Sequence, residues 1–335
     1  MYTVISTFAG CGGSSLGYKL AGFKELLAID FNKNAVETFK LNFPEVPVLQ
    51  RDITTVSAGE LLDNLGLNVG ELDVLDGSPP CQGFSIVGKR KVSDSRNELF
   101  KSFVELIIGL KPKVFVMENV SGQIKGDMKG MFIEIVNTLK SLDYKVKVKL
   151  MNAKYYDVPQ SRQRLIYIGV RNDINLMPVF PVPNNNLISV GKAIENVNNK
   201  TFRPMRDIDT EVYSYAKVNG SILKNVPYDL ILKWAPRFIN NKKLTFRGVR
   251  RLNPSKPSPT ILKLITISSN DFIHPKENRQ ITIEEAKRLC SFPDSFVLNG
   301  NFNEQWAVLG NAVMPNMMKA IAINIKENIL DKCQK

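Results

Sequence analysis

The sequence predicts an α/β fold, with one large domain built on an open sheet and a smaller second domain after it. Short apolar segments rich in β-branched residues alternate with helical segments through the first half of the chain. The first of these segments runs into a glycine-rich turn, which is typical of strand-turn-helix units. A stretch rich in Pro and Asn, residues 177–186, then marks a linker to the second domain. A chain of 335 residues is long enough to bury both cores.

The first strand is predicted at residues 2–8 and the first helix at 18–21. The glycines between them let a ligand approach the backbone closely, and a helix N-terminus offers free N–H groups. The Gly-x-Gly-x-x-Gly pattern of dinucleotide sites is not met, because Ser15 stands at its sixth position counted from Gly10. A smaller adenosine ligand is therefore predicted. A tight turn that binds nothing is the alternative.

Two acids follow the next two strands. The strand predicted at 25–29 ends in Asp30, about twenty residues past the glycines, where an acid can bind ribose hydroxyls. The strand predicted at 47–49 leads to Asp52, which can meet the amino group of an adenine. Either residue alone could be an ordinary surface acid. Three successive strand ends that carry glycines and two acids suit one cofactor lying across the sheet.

A fourth strand, predicted at 72–75 and closed by Asp76 as a turn residue, leads to Cys81. Two prolines just before the cysteine fix consecutive φ angles and present the thiol from a stiff support. Basic residues follow within 88–96. A positioned thiol beside cations predicts a nucleophile. An inert, buried cysteine is the alternative.

A helix predicted at 97–110 precedes a fifth strand at 114–117, which ends in Glu118. A carboxyl at the end of such an apolar strand should be partly desolvated, and parallel strand ends would bring it near Cys81. A glutamate that only caps or pairs locally is the alternative.

Arg162 and Arg164 come two residues apart at the start of the segment that leads to residue 170. They are predicted to enter a strand on one face, where they could hold a base carbonyl or a phosphate. Surface arginines are common, so a purely solvated pair is the alternative. Before them, a helix is predicted at 130–142 and a strand at 145–150.

The second half of the chain shows two clear helix signals. Thr282 and Glu285 form a capping box that opens a helix ending at Leu289. Pro315 begins an amphipathic helix that runs to about Leu330. The stretch between the linker and residue 262 has an irregular pattern.

The formal net charge of +13 predicts an anionic partner. Residues 185–262 contain 14 Lys and Arg against 5 Asp and Glu, which is most of that excess in under a quarter of the chain. A milder excess would indicate only a solvated surface. With Tyr213, Trp234 and Phe246 interleaved, the segment favours nucleic acid.

Composition excludes several other classes. The 4 cysteines form no Cys-x-x-Cys pair and there is 1 histidine, so no zinc site is predicted. The N-terminus lacks a basic leader with a cleavage site, and no apolar run is long enough to span a bilayer. A cytoplasmic protein without a metal is expected.

Five motifs together resemble those of the cytosine-C5 DNA methyltransferases. They are Phe-Ala-Gly-Cys-Gly-Gly at 8–13, Gly-Ser-Pro-Pro-Cys-Gln at 77–82, Glu-Asn-Val at 118–120, Gln-Ser-Arg-Gln-Arg at 160–164 and Gly-Asn-Ala-Val at 310–313. They come in the family's order, and the resemblance covers nearly the whole chain apart from about residues 185 to 245. It implies a Rossmann-like, S-adenosylmethionine-dependent methyltransferase domain with a smaller target-recognition domain.

The resemblance also implies roles for single residues. Cys81 would add to C6 of a cytosine flipped out of the helix, which makes C5 reactive enough to accept a methyl group. Glu118 would hold N3 and the exocyclic amine of that base. Arg164, supported by Arg162, would fix its O2.

Further residues are implied around the cofactor and the nucleic acid. The candidates for the S-adenosylmethionine site are Phe8, Gly10, Gly12, Gly13, Asp30, Phe31, Asp52, Ile53, Leu99 and Asn311. The candidates for DNA contact are Gln82, Ser85, Arg96, Arg247, Arg250 and Arg251.

The implied domains are a catalytic and cofactor-binding domain at 1–184, a DNA-binding target-recognition domain at 185–262 and a C-terminal segment at 263–335 that returns to the first. The expected partner is double-stranded DNA, acted on by a monomeric bacterial enzyme of the restriction-modification type. A cognate restriction endonuclease is a further candidate partner. Alternatives are a tRNA-methylating enzyme with the same cysteine motif, a catalytically silent DNA-binding protein and, more distantly, a nicotinamide dehydrogenase.

Overall fold

The computed structural model describes residues 1–80, 95–124, 128–198, 200–218, 225–236, 239–240, 243–244, 249–265 and 271–333. These residues form two compact units. The first comprises Met1–Asn152, Gln163–Pro183 and Val313–Lys335, and the second comprises Ala153–Arg162 and Asn184–Ala312.

The strands alternate with helices in the first unit, as predicted. In chain order the strands are β1 (Thr3–Thr7), β2 (Lys24–Asp30), β3 (Val48–Gln50), β4 (Val74–Gly77), β5 (Val114–Val120), β6 (Tyr144–Asn152), β7 (Gln160–Ser161), β8 (Gln163–Arg171), β9 (Ile239–Asn240), β10 (Lys243–Leu244), β11 (Val249–Arg251), β12 (Ser258–Pro259) and β13 (Asp271–Ile273). The helices are α1 (Gly13–Leu20), α2 (Lys33–Asn42), α3 (Ala58–Leu65), α4 (Ser95–Leu110), α5 (Lys129–Lys140), α6 (Val190–Ala193), α7 (Asp207–Ser214), α8 (Tyr228–Trp234), α9 (Ile283–Leu289), α10 (Phe302–Asn311), α11 (Pro315–Ile325) and α12 (Asp331–Cys333).

The first unit is built on a seven-stranded sheet in the order β3-β2-β1-β4-β5-β8-β6. The pairs formed by β1 to β5 are parallel, whereas β8 runs antiparallel to both of its neighbours. The strands of a parallel sheet that is covered on both faces are continuous apolar segments in the sequence. The positions of these strands could therefore be predicted well. The carboxyl ends of β1, β2, β4 and β5 therefore share one edge of the sheet, where ligand sites of such folds lie.

One face of the sheet packs on an apolar core. Ile5, Leu75 and Phe115 from three neighbouring strands are fully buried in it, with Phe103 and Ile107 from α4. Burial of each such side chain stabilises the fold by about 1.5–3 kcal/mol. This core fixes the strand ends that carry the predicted site.

Helix α1 begins at Gly13, five residues earlier than predicted. Its N-cap, Gly12, has φ 91°, so the glycine turn passes directly into the helix. Glycine and serine have low helix propensity, so the predicted start of α1 is too late in the chain. β5 also continues three residues past its predicted end because β8 pairs with it as far as Val120. Glu118 consequently lies inside a strand.

The second unit has a small core of its own. Val212 and Tyr213 of α7 pack with Leu230, Ile231 and Trp234 of α8. This basic segment, whose sequence pattern is irregular, thus contains two short helices that were not predicted. Their apolar residues span less than two turns each, too little to give a helical period in the sequence.

The capping box of α9 is confirmed. Thr282 accepts a hydrogen bond from the Glu285 backbone N–H at 3.2 Å, and the Glu285 carboxylate accepts from the Thr282 N–H at 2.8 Å. The helix ends at Leu289, as predicted. Helix α11 begins at Pro315 as predicted, and a π-helical turn, Lys326–Leu330, continues it.

The bounds of the two units differ from the three predicted segments. The Ser258 N–H donates to the Pro159 carbonyl at 2.9 Å, and Gln160 donates to the Leu289 carbonyl at 3.3 Å, so 153–162 belongs with the second unit. In the first unit, α11 packs on α1 where Gly17 leaves room for Met318. Only the part of the predicted C-terminal segment from Val313 onward therefore lies in the first unit.

Candidate active site

The glycine turn is shaped by its backbone and by close packing. Phe8, Gly10 and Gly12 all have positive φ, at 54°, 56° and 91°. A bulky side chain is rarely found in this region, and such outliers concentrate at functional sites. A Cβ on Gly13 would come within 2.1 Å of the Val313 carbonyl oxygen, so only glycine fits there. A Cβ on Gly10 would meet no atom of the described residues within 4 Å, so among them that side of the turn is open to a ligand.

Asp30 anchors this turn to the end of β2. One carboxylate oxygen accepts the Gly10 N–H and the other accepts the Asn32 N–H, both at 2.8 Å. Burial raises the pKa of Asp30, although these backbone donors favour its charged form. The neighbouring ring of Phe31 is 71% exposed. An anchored carboxylate beside an exposed aromatic ring and an open glycine turn fits the hydroxyls and the flat base of an adenosine group.

The other predicted cofactor residues have varied surroundings. Asp52 is exposed and caps the short turn Ile53–Thr55, accepting from the Thr54 N–H at 3.0 Å. The Ile53 side chain is buried in the core and Leu99 packs against it, half-buried, on α4. Asn311 is exposed at the end of α10, in the second unit.

Cys81, Gln82, Ser85 and Arg247 lie outside the described residues, as does the side chain of Arg96. The structure does describe the chain up to Pro80, and two contacts fix its course there.

The Asn119 side chain donates to the Pro79 carbonyl at 3.0 Å, and the Ser78 hydroxyl donates to the Phe8 carbonyl at 3.4 Å. A Cβ on Gly77 would lie 2.5 Å from the Thr7 hydroxyl and 2.6 Å from the Phe103 ring. The segment before Cys81 is therefore held from β1 and from β5. Asn119 was missed as a site residue, although it stands in the Glu-Asn-Val motif.

Glu118 and Arg164 form an ion pair with Nε and Oε1 at 2.5 Å. Their side chains are 11% and 12% exposed. The antiparallel register of β5 and β8, with Val120 opposite Arg164, brings the two together. In the parallel register of β4 and β5, Gly77 is opposite Met117, so Glu118 lies one residue beyond the level of Gly77.

The predicted placement of Arg162 on one strand face with Arg164 is wrong. Arg162 falls between β7 and β8, so the two-residue alternation of a strand does not reach across it. It is 2% exposed, and its guanidinium donates to the carbonyls of Ile261 at 2.9 Å and Gly310 at 3.0 Å. These contacts join three segments of the second unit.

Arg251 is likewise buried, and its guanidinium is hydrogen-bonded inside the second unit. It is 8% exposed and donates five hydrogen bonds. The acceptors are the carbonyls of Tyr213, Ala216, His274 and Glu277 and the side chain of Asn278. The prediction of a DNA contact by Arg251 therefore conflicts with its geometry. Arg250, which points to the other side of β11, is exposed and lies 5.4 Å from the Phe272 ring centroid.

Two acids beneath α1, the buried Asp76 and the half-buried Glu25, were missed as site residues. Asp76 lies within β4 and is 4% exposed, so its assignment to a turn after the strand is wrong. Burial raises the pKa of Asp76 to about 7, and burial likewise raises that of Glu25, on β2, to about 7. An acid inside an apolar strand was the available signal, but Asp-Gly reads as a turn.

The second unit contains a cavity of about 550 Å³. Its basic lining residues are Arg203, Arg206 and Lys233. Arg206 pairs with Asp209 at 2.7 Å, whereas Arg203 and Lys233 form no ion pair with any described residue.

Within the described ranges, no helix is both long and apolar enough to cross a membrane. Nor does that part of the chain bring three His, Cys, Asp or Glu side chains together as metal ligands.

Known proteins are similar to this chain in sequence and in architecture. The family model for C-5 cytosine-specific DNA methylase matches residues 2–327. The Type II methyltransferase M1.HphI of Haemophilus parahaemolyticus is 36% identical over 336 residues, covering 96% of this chain and 85% of that protein. M.DdeI of Desulfomicrobium norvegicum is 33% identical, covering 97% of this chain and 89% of that protein. A solved structure of a prophage-encoded Escherichia coli protein, described as a DNA modification methyltransferase, matches with a TM-score of 0.75 at 26% identity, covering 99% of this chain and 100% of that one. The chain therefore belongs to the C-5 cytosine-specific DNA methylase family.

Proposed function

We propose that Cys81 is the nucleophile of this enzyme and that Glu118 and Arg164 hold the target base. Family membership gives the reaction, which is methylation of cytosine at C5 in DNA with S-adenosylmethionine as the methyl donor. The observation that carries the residue assignment is the Glu118–Arg164 pair, positioned by the register of β4 and β5 beside the strand that leads to Cys81.

The chemistry needs a nucleophile because C5 of cytosine does not attack a methyl donor unaided. Addition of the Cys81 thiolate to C6 gives C5 enamine character and creates negative charge on the ring. A proton taken up at N3 from solvent, and held there by the Glu118 carboxylate, relieves that charge, and Arg164 binds the base O2. After methylation, loss of the C5 proton to a base such as water expels the Cys81 thiolate, and return of the N3 proton to solvent restores the ring.

The Glu118–Arg164 contact also prepares the site before the base arrives. Each group satisfies the other while the site is empty of substrate, so neither charge is left unpaired in a half-desolvated position. The flipped-out cytosine offers N3, its amine and O2 to the same two groups. Binding therefore exchanges one set of polar contacts for another.

The cofactor is assigned to the carboxyl ends of β1 and β2. The open side of Gly10, the anchored Asp30 carboxylate and the exposed Phe31 ring support this assignment. S-adenosylmethionine supplies an electrophilic methyl group when bound. The residues of the turn orient it, and Phe31 covers its base.

We assign target recognition to the second unit and catalysis to the first. Arg203, Lys233 and Arg250 are its candidate contacts to DNA phosphates, because each is a cation that donates to no carbonyl within the described part of this unit. A monomer acting on double-stranded DNA in the bacterial cytoplasm is the simplest arrangement. The Type II names of the relatives favour a cognate restriction endonuclease that cuts the same site.

The test is methylation of unmethylated genomic DNA with labelled S-adenosylmethionine, followed by mapping of the modified cytosines. Wild type and Cys333→Ser, a matched thiol control away from the site, should methylate one short motif, and Cys81→Ser should be inactive. Activity in Cys81→Ser would remove Cys81 from the mechanism. Labelling of tRNA instead of duplex DNA would overturn the choice of substrate.

A further inference from the structure

Two carboxylic acids lie beneath the first turns of α1 and take no part in the proposed reaction. Asp76 stands in β4, five residues before Cys81, and is 4% exposed. Glu25 stands in β2, on the other side of β1 in the sheet. Both acids therefore lie under the helix that begins at the glycine turn.

Both acids are bonded to that helix. The Tyr18 hydroxyl donates to Asp76 Oδ1 at 3.3 Å, and Ser14 forms a second hydrogen bond to Asp76. The Ser15 hydroxyl donates to Glu25 Oε1 at 2.9 Å. Three side chains from the first two turns of α1 are thus tied to the sheet through carboxyl groups.

The charges around these acids are mostly negative. The titratable and charged groups that act on Asp76 and Glu25, besides each other, are Tyr18 and Lys19 on α1, Glu45 after α2, and Glu118 on β5. Lys19 is the one cation among them, and it is paired with Glu45 at 2.6 Å. Ionised Asp76 and Glu25 would repel each other across β1, and burial also disfavours the charge on each, so the neutral form suits this location.

We propose that Asp76 and Glu25 are positioning residues for the cofactor. In their uncharged form they hold the start of α1, and with it the glycine turn, in the conformation that binds S-adenosylmethionine. This inference rests on the proposed assignment of that turn to the cofactor.

Ionisation of the pair weakens this arrangement. The Ser14 and Tyr18 hydroxyls favour the ionised form of Asp76, but its burial outweighs them. A carboxylate with no cation partner among the described residues draws in water here, and that water disturbs the same hydrogen bonds. The glycine turn has little room to move, because Gly12 lies against Phe43 and Gly13 lies against Val313. The affinity for the cofactor consequently falls as pH rises through neutrality.

The test is the dissociation constant of S-adenosylmethionine from the full-length, DNA-free protein, measured by calorimetry. Between about pH 6 and pH 8.5 the wild-type constant should rise by roughly threefold or more. Asp76→Asn and Glu25→Gln keep the shape and polarity of the acids but cannot ionise. Each should remove part of the pH dependence, and the double variant should remove all of it.

Two further variants calibrate the result. Asp63→Asn, on the exposed side of α3, should retain the wild-type pH dependence. Tyr18→Phe removes the hydroxyl that Asp76 accepts, and its affinity should fall several-fold at every pH. This variant also serves if Asp76→Asn does not fold, which the thermal unfolding of each protein would report.

The inference is overturned if the double variant shows the wild-type pH dependence, or if wild type shows none. The cofactor assignment is tested separately by Phe31→Ala, which removes a ring that is mostly exposed. Unchanged affinity in Phe31→Ala together with a flat profile in the double variant would count against the assigned cofactor face alone. Weakened binding in Phe31→Ala with an unaltered profile in the double variant would count against the positioning role alone.

Discussion

The two units differ in the ionisable side chains that dominate their interiors. The first unit buries Asp76 under α1 and half-buries Glu25, whereas the second buries Arg162, Arg251 and Arg279, each bonded to internal acceptors that for Arg279 include the buried Glu285. A buried carboxyl can change its charge near neutral pH, but a guanidinium stays charged and holds a fixed set of acceptors. The acids of the first unit therefore make cofactor binding and stability depend on pH, whereas the buried arginines of the second unit stabilise the fold at any pH near neutrality. The number of Lys and Arg residues in the second unit therefore does not equal the number of residues that contact DNA.

The largest effect is expected for Glu118→Gln, in the first unit. We expect kcat to fall by about 10²- to 10⁴-fold because the proton at N3 loses the carboxylate that holds it. The free energy of unfolding should also fall, because Arg164 loses its charged partner. Single-turnover methylation measures the rate. Glu60→Gln, in the more exposed pair with Arg51, is the matched control and should keep full activity. An active Glu118→Gln would remove the acid from the mechanism.

Arg251→Met should lower the free energy of unfolding by about 3 kcal/mol or more, because five acceptors lose their donor. Urea denaturation of the full chain is the measurement. Arg250→Met, the neighbouring residue on β11, should change the free energy of unfolding by less than about 0.5 kcal/mol. Similar losses in both variants would contradict the division between buried and exposed arginines.

The buried acids predict how stability depends on pH. Because the pKa of Asp76 is about 7 in the folded protein and near its ordinary value in the unfolded chain, the folded state binds more protons between these values. Stability should therefore fall as pH rises from about 4 to 7, by up to about 4 kcal/mol for this group. Asp76→Asn should flatten the profile and be the more stable protein at about pH 8. A profile as steep as that of wild type would show that Asp76 is ionised throughout.

The smallest expected effect is that of Arg250→Ala on DNA binding. Loss of one phosphate contact should reduce the slope of log affinity against log salt by about 0.9 and leave the methylated motif unchanged. Fluorescence anisotropy with a duplex at several salt concentrations gives the slope. Lys40→Ala, an exposed cation on α2, should leave it unaltered. A changed motif would assign Arg250 to base contact instead.

Much of the first unit could be predicted from the sequence. Its buried strands are continuous apolar runs, and each polar residue that ends one stands out against them. The pairing of Glu118 with Arg164 also follows once the two strands are adjacent, although their register is not visible in the sequence.

The second unit could not be predicted as well. Its arginines are alike in the sequence, and only the fold shows that Arg251 meets four carbonyls and one amide while Arg250 faces outward. Asp76 was misassigned for a related reason. An Asp-Gly pair usually marks a turn, and the partners that permit burial, Ser14 and Tyr18, are about sixty residues away in the chain.

The most direct test of the central claim is covalent trapping on a duplex that carries 5-fluorocytosine at the methylated position. Fluorine at C5 cannot leave as a proton, so the enzyme should remain bonded to C6 after methyl transfer. Peptide mapping should find the base attached to Cys81 in wild type and in Cys333→Ser, with no adduct in Cys81→Ser. An adduct on another residue, or methylation without any trapped complex, would contradict the account.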